Sequence, residues 1–230
     1  MLQIWGRLSS INVRKVVWCA QELGLAFQRT DAGRQFGIVQ TPAYRALNPN
    51  GLVPTIEDDQ EAGGGRLRLW ESNVIVRYLC ARHSAGDLYP EPLAARFDAE
   101  RWMDWQQTTL NPAGREAFMQ WVRTSSERRD AAAAARSVQA TEPLLALLEG
   151  HLAARAWMRG DRFTMADIPI GCELHRWFGL PGDLYARPTC THVRRGRTSS
   201  ATSRRCATGR RRAASSICHW SELAREGGLR

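Results

Sequence analysis

Lysine is almost absent from this chain, in which Lys15 stands alone against 31 arginines. Long apolar runs are also missing, and none approaches the ~20 residues that a helix needs to cross a bilayer, so a membrane helix is not expected. The N-terminus enters a strand-like segment at 2–5 without the basic and apolar regions of a secretory signal. We therefore expect a cytoplasmic protein without a membrane partner.

The cysteines are few and scattered. None forms a C-x-x-C pair, so neither a redox dithiol nor a zinc site is predicted, and we expect no metal. Without export they are interpreted as free thiols. The six are Cys19, Cys80, Cys172, Cys190, Cys206 and Cys218.

The net charge of +9 is concentrated at one end of the chain. Residues 183–230 carry +8 of it, whereas residues 1–182 carry only +1. We therefore do not expect residues 1–182 to bind nucleic acid, and only the basic tail is a candidate for such binding. Within 187–216 Val193 is the only large aliphatic residue, which predicts a disordered segment. Two explanations stay open: a frameshift near Pro181, or a genuine basic arm.

Hydrophobic periodicity divides the rest of the chain into two parts. The pattern of residues 1–82 predicts, in this order, a strand, a helix, a strand, a short helix, two strands and a helix. This is the order of a thioredoxin-like domain. Residues 83–92 read as a linker, and 93–182 show only helical patterns, at about 93–111, 115–124, 130–149 and 164–178. We predict an α/β domain followed by an all-α domain.

Two helix starts carry strong N-terminal signals. Thr41-Pro42 combines an N-cap residue with a proline at the first helical position. Thr164 and Asp167 have the spacing of a capping box, in which each side chain satisfies a backbone donor of the other residue. We interpret the second motif as structural, because it begins an apolar helix.

Two further segments place hydroxyl residues between a strand and a helix. Ser9-Ser10-Ile11-Asn12 follows the first strand, and Glu71-Ser72 precedes the third helix. Backbone amides and the helix dipole favour an anion at such positions. With Asn48-Pro49-Asn50-Gly51-Leu52-Val53-Pro54 between them, the segments resemble those of cytosolic glutathione transferases of a bacterial serine type.

The resemblance implies that glutathione is a co-substrate and that its sulfur lies at the first segment. Ser10 would hold the thiolate there, with Ser9 and Asn12 as competing candidates. The alternative is that Ser9 or Ser10 only caps the helix. No permanently bound cofactor is implied.

The same resemblance implies a binding site for the rest of glutathione. Val53 would present its backbone to the cysteinyl part, next to a cis Pro54. Ser72, as the cap of the third helix, would bind the γ-glutamyl carboxylate, and Glu71 would receive the ammonium group. Gln40 and Asn50 are candidates for the glycyl carboxylate.

The second substrate is implied to be a small hydrophobic electrophile bound by the helical part. Trp102 and Trp105, on one helical face, and Phe118 are candidates for its pocket, although aromatic stripes of this kind also form cores. The resemblance implies a dimeric detoxification enzyme. Two alternatives stay open: a glutathione-dependent disulfide reductase, and a non-catalytic interaction protein whose basic tail binds nucleic acid.

Overall fold

The computed structural model describes residues 1–59, 65–181 and 190–193. Its N-terminal part contains a four-stranded sheet in the order β2-β1-β3-β4. The β1–β2 pair is parallel, and the β1–β3 and β3–β4 pairs are antiparallel. The strands are β1 Leu2–Trp5, β2 Phe27–Thr30, β3 Thr55–Asp58 and β4 Leu67–Trp70.

Helices flank the sheet, and in the described residues of the second part the named elements are all helical, as the sequence predicts. Two π-helical turns, Gln106–Leu110 and Met119–Arg123, interrupt segments that we predicted as plain helix. The helices are α1 Ile11–Glu22, α2 Pro42–Arg45, α3 Ser72–His83, α4 Leu93–Trp105, α5 Asn111–Phe118, α6 Ala131–Leu152 and α7 Asp167–Phe178.

The sequence of residues 25–29 predicts a second strand that begins two residues earlier than β2 does. Leu25 lies beyond the end of α1 but is still bonded to it, because its N–H donates to the Ala20 carbonyl oxygen at 2.9 Å. Gly24 turns the chain there with φ +67°, a conformation that glycine adopts easily. The glycine in the sequence predicts that the first helix stops at this position, and the structure confirms it. Strand pairing starts only at Phe27.

The sequence pattern predicts that Val74, Ile75, Tyr78 and Leu79 share the buried face of the third helix, and the observed face of α3 differs from it. Val74, predicted to face the core, is 43% exposed, whereas Val76 is fully buried with Ile75 and Leu79. These buried residues follow the spacing of three and four that a helix needs to face one neighbour, here α1. Tyr78 lies at the edge, where its hydroxyl donates to Asp58 at 2.8 Å.

The helical part is held at the start of α7 by the predicted Thr164–Asp167 motif. The Asp167 carboxylate accepts the Thr164 N–H and the Met158 N–H, both at 2.8 Å. The Thr164 hydroxyl donates to the same carboxylate at 3.3 Å, and the Asp167 N–H uses the Thr164 carbonyl oxygen at 3.0 Å. One half of the predicted exchange is confirmed, and a backbone oxygen replaces the hydroxyl in the other half.

Four residues of the tail, 190–193, lie within the described chain, and they are packed. Cys190 and Val193 are buried, and the Glu149 carboxylate on α6 accepts the N–H groups of His192 and Val193 at 2.9 Å. This packing differs from the expected disorder at these positions. The rest of the predicted tail, and most of the glycine-rich turn at 58–65, lie outside the described residues.

The described cysteines agree with the free-thiol interpretation. All four are buried and unpaired by disulfides, and the sulfurs of Cys19 and Cys80 lie 3.6 Å apart. The described ranges include no helix long and apolar enough to cross a membrane.

Candidate functional site

A cleft of about 860 Å³ lies between the start of α1 and the helical part. Its volume is within the range of about 300–1,000 Å³ that is typical of small-molecule sites. The structure brings six of the predicted site residues together on its walls. They are Ser9, Ser10, Asn12, Gln40 and Val53 from the N-terminal part, and Phe118 from α5.

Ser10 is the residue before α1, and its backbone is extended at φ −91° and ψ 124°. Its hydroxyl makes no capping hydrogen bond to the helix, so Ser10 is not a plain N-cap. The first N–H groups of a helix have no intrahelical acceptor, and they carry the positive end of its dipole. The hydroxyl and these amides together form a place for an anion.

The two competing residues differ in their surroundings. Ser9 is exposed, and its carbonyl oxygen accepts a hydrogen bond from Arg123 at 3.1 Å. The carboxamide oxygen of Asn12 is buried and has no hydrogen-bond partner among the described residues. All three residues line the cleft beside the start of α1, and Ser9, Ser10 and Asn12 stay candidates for the sulfur contact.

The segment before β3 has the geometry that the resemblance implied. The Val53–Pro54 peptide bond is cis. Val53 lines the cleft, whereas Pro54 is buried behind it.

Ser72 is not the cap of α3 but its first residue. Glu71 precedes the helix with φ 70° and ψ 109°, and its carbonyl oxygen accepts the N–H of Ile75 at 2.9 Å. This backbone turn at Glu71, which the sequence pattern did not reveal, moves the helix start by one residue. Ser72 is 4% exposed, Glu71 is exposed, and neither is among the described residues that line the cleft.

Gln40 and Asn50, both candidates for the glycyl carboxylate, have different positions. Gln40 lines the cleft and accepts a hydrogen bond from Arg45. Asn50 folds back onto Asn48, whose side-chain oxygen accepts both its backbone and side-chain N–H groups at 3.1 Å. The structure therefore does not bring Asn50 to the cleft.

The tryptophans of α4 lie away from the cleft, in contrast to the expected pocket role. The rings of Trp102 and Trp105 meet edge to face at 5.4 Å, and Trp102 also packs on His151 at 4.5 Å. Both are half-buried against the hydrophobic core. Trp102 therefore contacts α6 through His151, a neighbour that periodicity along α4 does not specify.

Lys15 is a residue that our sequence analysis did not connect with the site. Its side chain is 0% exposed, and its ammonium group donates to the Gln107 side-chain oxygen at 2.9 Å and lies 3.5 Å from the Ser72 hydroxyl. Burial lowers the pKa of Lys15 to about 8. A signal was available, because the only lysine of the chain lies on the apolar face of α1 between Val13 and Val16.

Sequence comparison identifies relatives along most of the chain. Residues 9–82 match the family described as "Glutathione S-transferase, N-terminal domain". Glutathione S-transferase GstB of Escherichia coli K12 is 43% identical over 180 residues, which cover 78% of this chain and 85% of the relative. Glutathione S-transferase 3 of Zea mays is 30% identical over 170 residues, covering 72% and 73%.

Structural comparison leads to the same family. A theta class glutathione S-transferase from Xanthomonas axonopodis pv. citri, solved with glutathione bound, superimposes with a TM-score of 0.79 and 41% identity. The match covers 93% of this chain and 94% of that one. The identity to GstB extends over both the thioredoxin-like and the helical parts. This chain belongs to the glutathione S-transferase family.

Proposed function

We propose that the protein converts glutathione to its thiolate at the start of α1 and directs the sulfur at an electrophile. The observation that carries the proposal is that Ser10 lines the cleft at the start of α1 and that its hydroxyl does not cap the helix. The glutathione-bound theta class relative supports glutathione as the ligand. The reductase and interaction-protein alternatives gain no support from the relatives.

Lowering the pKa of the glutathione thiol enough to form the thiolate requires only a modest free energy. A free thiol has a pKa of about 8.5, and each unit by which the pKa falls needs about 1.36 kcal/mol of differential stabilisation. A helix N-terminus supplies about 0.3–2 kcal/mol, and a hydrogen bond to a charged group about 1.5–3 kcal/mol. One hydroxyl at a helix start is therefore enough to make a substantial thiolate fraction near neutral pH.

The remainder of glutathione is proposed to extend from this point along the N-terminal part. Ser72 would take the γ-glutamyl carboxylate with Lys15 behind it, and Glu71 would take the ammonium group. Val53 would present its backbone to the cysteinyl unit, and Gln40 would reach the glycyl end. Assembly as a homodimer and a role in detoxification, both implied by the family resemblance, belong to the same proposal.

Replacing Ser72 with alanine is expected to weaken glutathione binding by about tenfold, because a hydrogen bond to a carboxylate contributes about 1.5–3 kcal/mol. Titration calorimetry on the wild type and on Ser72→Ala measures the change. Ser126→Ala, at an exposed position of a different turn, serves as the matched control and should bind like the wild type. A folded wild type that binds no glutathione would reject the proposed function.

The sulfur contact can be assigned by comparing Ser9→Ala, Ser10→Ala and Asn12→Ala. We expect Ser10→Ala to raise the pKa of bound glutathione by about one unit, since it loses a hydrogen bond to the thiolate. The ultraviolet absorbance of the thiolate, followed against pH at saturating glutathione, gives this pKa. A shift in Asn12→Ala or Ser9→Ala instead would move the assignment, and no shift in any variant would contradict a side-chain contact.

A further inference from the structure

The cleft contains far more positive than negative charge. Among its described lining residues only Glu116 has a carboxylate, and that group accepts a hydrogen bond from the Gln120 side chain. Six arginines line the same space, three on each wall. They are Arg7, Arg14, Arg34, Arg115, Arg123 and Arg176.

Two of these arginines have structural partners nearby. Arg176 forms an ion pair with Glu173, and the Arg14 side chain donates to the Leu8 carbonyl oxygen at 2.9 Å. The other four form no ion pair within the described part of the chain. They are Arg7, Arg34, Arg115 and Arg123.

The unpaired arginines of the two walls are close enough to repel each other. Burial lowers the pKa of Arg7, and the charges of Arg34 and Arg123 lower it further. The Nε atom of Arg7 is also buried and has no partner among the described residues. An anion in the cleft would relieve this repulsion and supply the missing acceptor.

Glutathione alone does not balance this charge. As a thiolate it carries about two net negative charges, because its ammonium group offsets one of two carboxylates. Four unpaired guanidinium groups therefore leave positive charge in the occupied cleft. Arg115 and Arg123 belong to the helical wall. The Arg123 side chain extends from this wall to the Ser9 carbonyl oxygen at 3.1 Å, beside the start of α1 where the sulfur would lie.

An apolar surface lies directly beside these charges. The Phe118 ring lines the cleft on the helical wall, and the guanidinium carbon of Arg123 is 5.5 Å from its centre. On this wall an apolar ring and a guanidinium group are therefore close enough to contact the same small molecule.

We propose that the preferred electrophile carries a carboxylate, and that Arg115 and Arg123 bind this group while its apolar body contacts Phe118. The inference rests on the proposed glutathione transfer and names its substrate class: an aryl or alkyl halide with an anionic substituent. The thiol first loses its proton to solvent. The thiolate sulfur then attacks the carbon that bears the halogen, so a C–S bond forms, the C–halogen bond breaks, and the halide leaves with the bonding electron pair.

The test compares chlorodinitrobenzoate with the corresponding neutral benzamide, which has the same ring and leaving group. Each kcat/KM is divided by the uncatalysed rate constant. We expect the wild type to favour the carboxylate by about tenfold, which corresponds to about 1.4 kcal/mol, because the arginines would form a charge-assisted contact with the carboxylate only. Arg115→Gln should lose this preference, because its kcat/KM falls much more for the carboxylate than for the amide.

Arg115 is the better first substitution because its side chain has no hydrogen-bond or ion-pair partner in the described chain, whereas Arg123 also donates to Ser9. Arg136→Gln, at an exposed position of α6, is the matched control and should keep the preference. An equal loss for both substrates in Arg115→Gln would overturn the proposal. So would a change confined to the KM for glutathione, because the arginine would then serve the co-substrate.

A binding measurement separates failure of this inference from failure of the proposed function. Dinitrobenzoate and dinitrobenzamide, which lack the leaving group, are titrated into the glutathione-loaded protein. Tighter binding of the carboxylate, lost in Arg115→Gln, supports the inference even without turnover. Equal binding of both overturns the inference and leaves glutathione transfer standing, whereas a protein that does not bind glutathione rejects the proposed function itself.

Discussion

Replacing Asp167 with alanine is expected to lower the free energy of unfolding by about 3 kcal/mol or more, because each buried donor left without a partner costs about 1–3 kcal/mol. The carboxylate accepts three hydrogen bonds, from Met158 N–H, Thr164 N–H and the Thr164 hydroxyl. The Thr164 donors lie just before α7, and Met158 lies in the preceding loop, so the carboxylate joins this loop to a helix that supplies much of the helical core. Urea unfolding followed by circular dichroism measures the loss.

Two variants make this experiment interpretable. Asp161→Ala changes an exposed carboxylate in the same loop and should leave stability within about 0.5 kcal/mol of the wild type. Thr164→Ala removes only the hydroxyl and should cost about 1 kcal/mol, so it reports on the motif even if Asp167→Ala does not fold. A wild-type midpoint in Asp167→Ala would show that the motif contributes little.

The same carboxyl predicts a pH effect. Burial raises the pKa of Asp167 to about 6, although its hydrogen bonds oppose the shift. Between the unfolded value of about 3.9 and this folded value the native state binds more protons, so this group's contribution to stability falls as the pH rises through that window. The fall should be absent in Asp167→Ala.

Replacing Lys15 with methionine is expected to stabilise the fold by about 2 kcal/mol at pH 7 and to weaken glutathione binding by about tenfold. Burial holds the pKa of this ammonium group at about 8, below its ordinary value of 10.5. Charge burial therefore costs stability, partly offset by the Gln107 hydrogen bond. Binding weakens because the charge next to Ser72 would attract the γ-glutamyl carboxylate.

The pH dependence of the free energy of unfolding shows whether the buried charge of Lys15 stabilises or destabilises the fold. Below about pH 8 the ammonium group is protonated in both states, and its full cost is present. As the pH rises towards the unfolded value of about 10.4, the native state loses its proton first and the cost is relieved, so wild-type stability should rise over this window.

Urea unfolding and calorimetry of Lys15→Met measure both effects, with the exposed Arg136→Met as control. A variant that is less stable at pH 7, or that binds glutathione normally, would contradict this role.

Much of the fold could be predicted because its signals are local. The order of strands and helices in 1–83 follows from periodicity, and Thr41-Pro42 and Gly24 mark helix ends through their own backbone chemistry. The Thr41 side chain accepts the Tyr44 N–H at 3.2 Å, as an N-cap residue should. These features depend on neighbours within one or two turns.

The helix starts near the site were harder to predict, because they depend on a backbone conformation that the residue types around them do not specify. Ser10 and Ser72 both precede apolar helical patterns, yet one lies just before its helix and the other is its first residue. The difference comes from the left-handed backbone at Glu71, at the turn from β4 into α3. A pattern of hydroxyl and apolar residues does not encode that dihedral angle.

The sequence alone determined three things: the thioredoxin-like order of elements in residues 1–82, the hydroxyl motifs before α1 and α3, and the family. Short-range chemistry and motif spacing carry that information. Packing between distant segments decided the rest. It placed Trp102 on His151 instead of the cleft and buried the single lysine against Gln107, 92 residues further along the chain. It also assembled arginines from the N-terminal part and from the helical part around one cavity. Such contacts depend on how helices face one another in three dimensions, and periodicity within a single helix does not determine which neighbour its side chains meet.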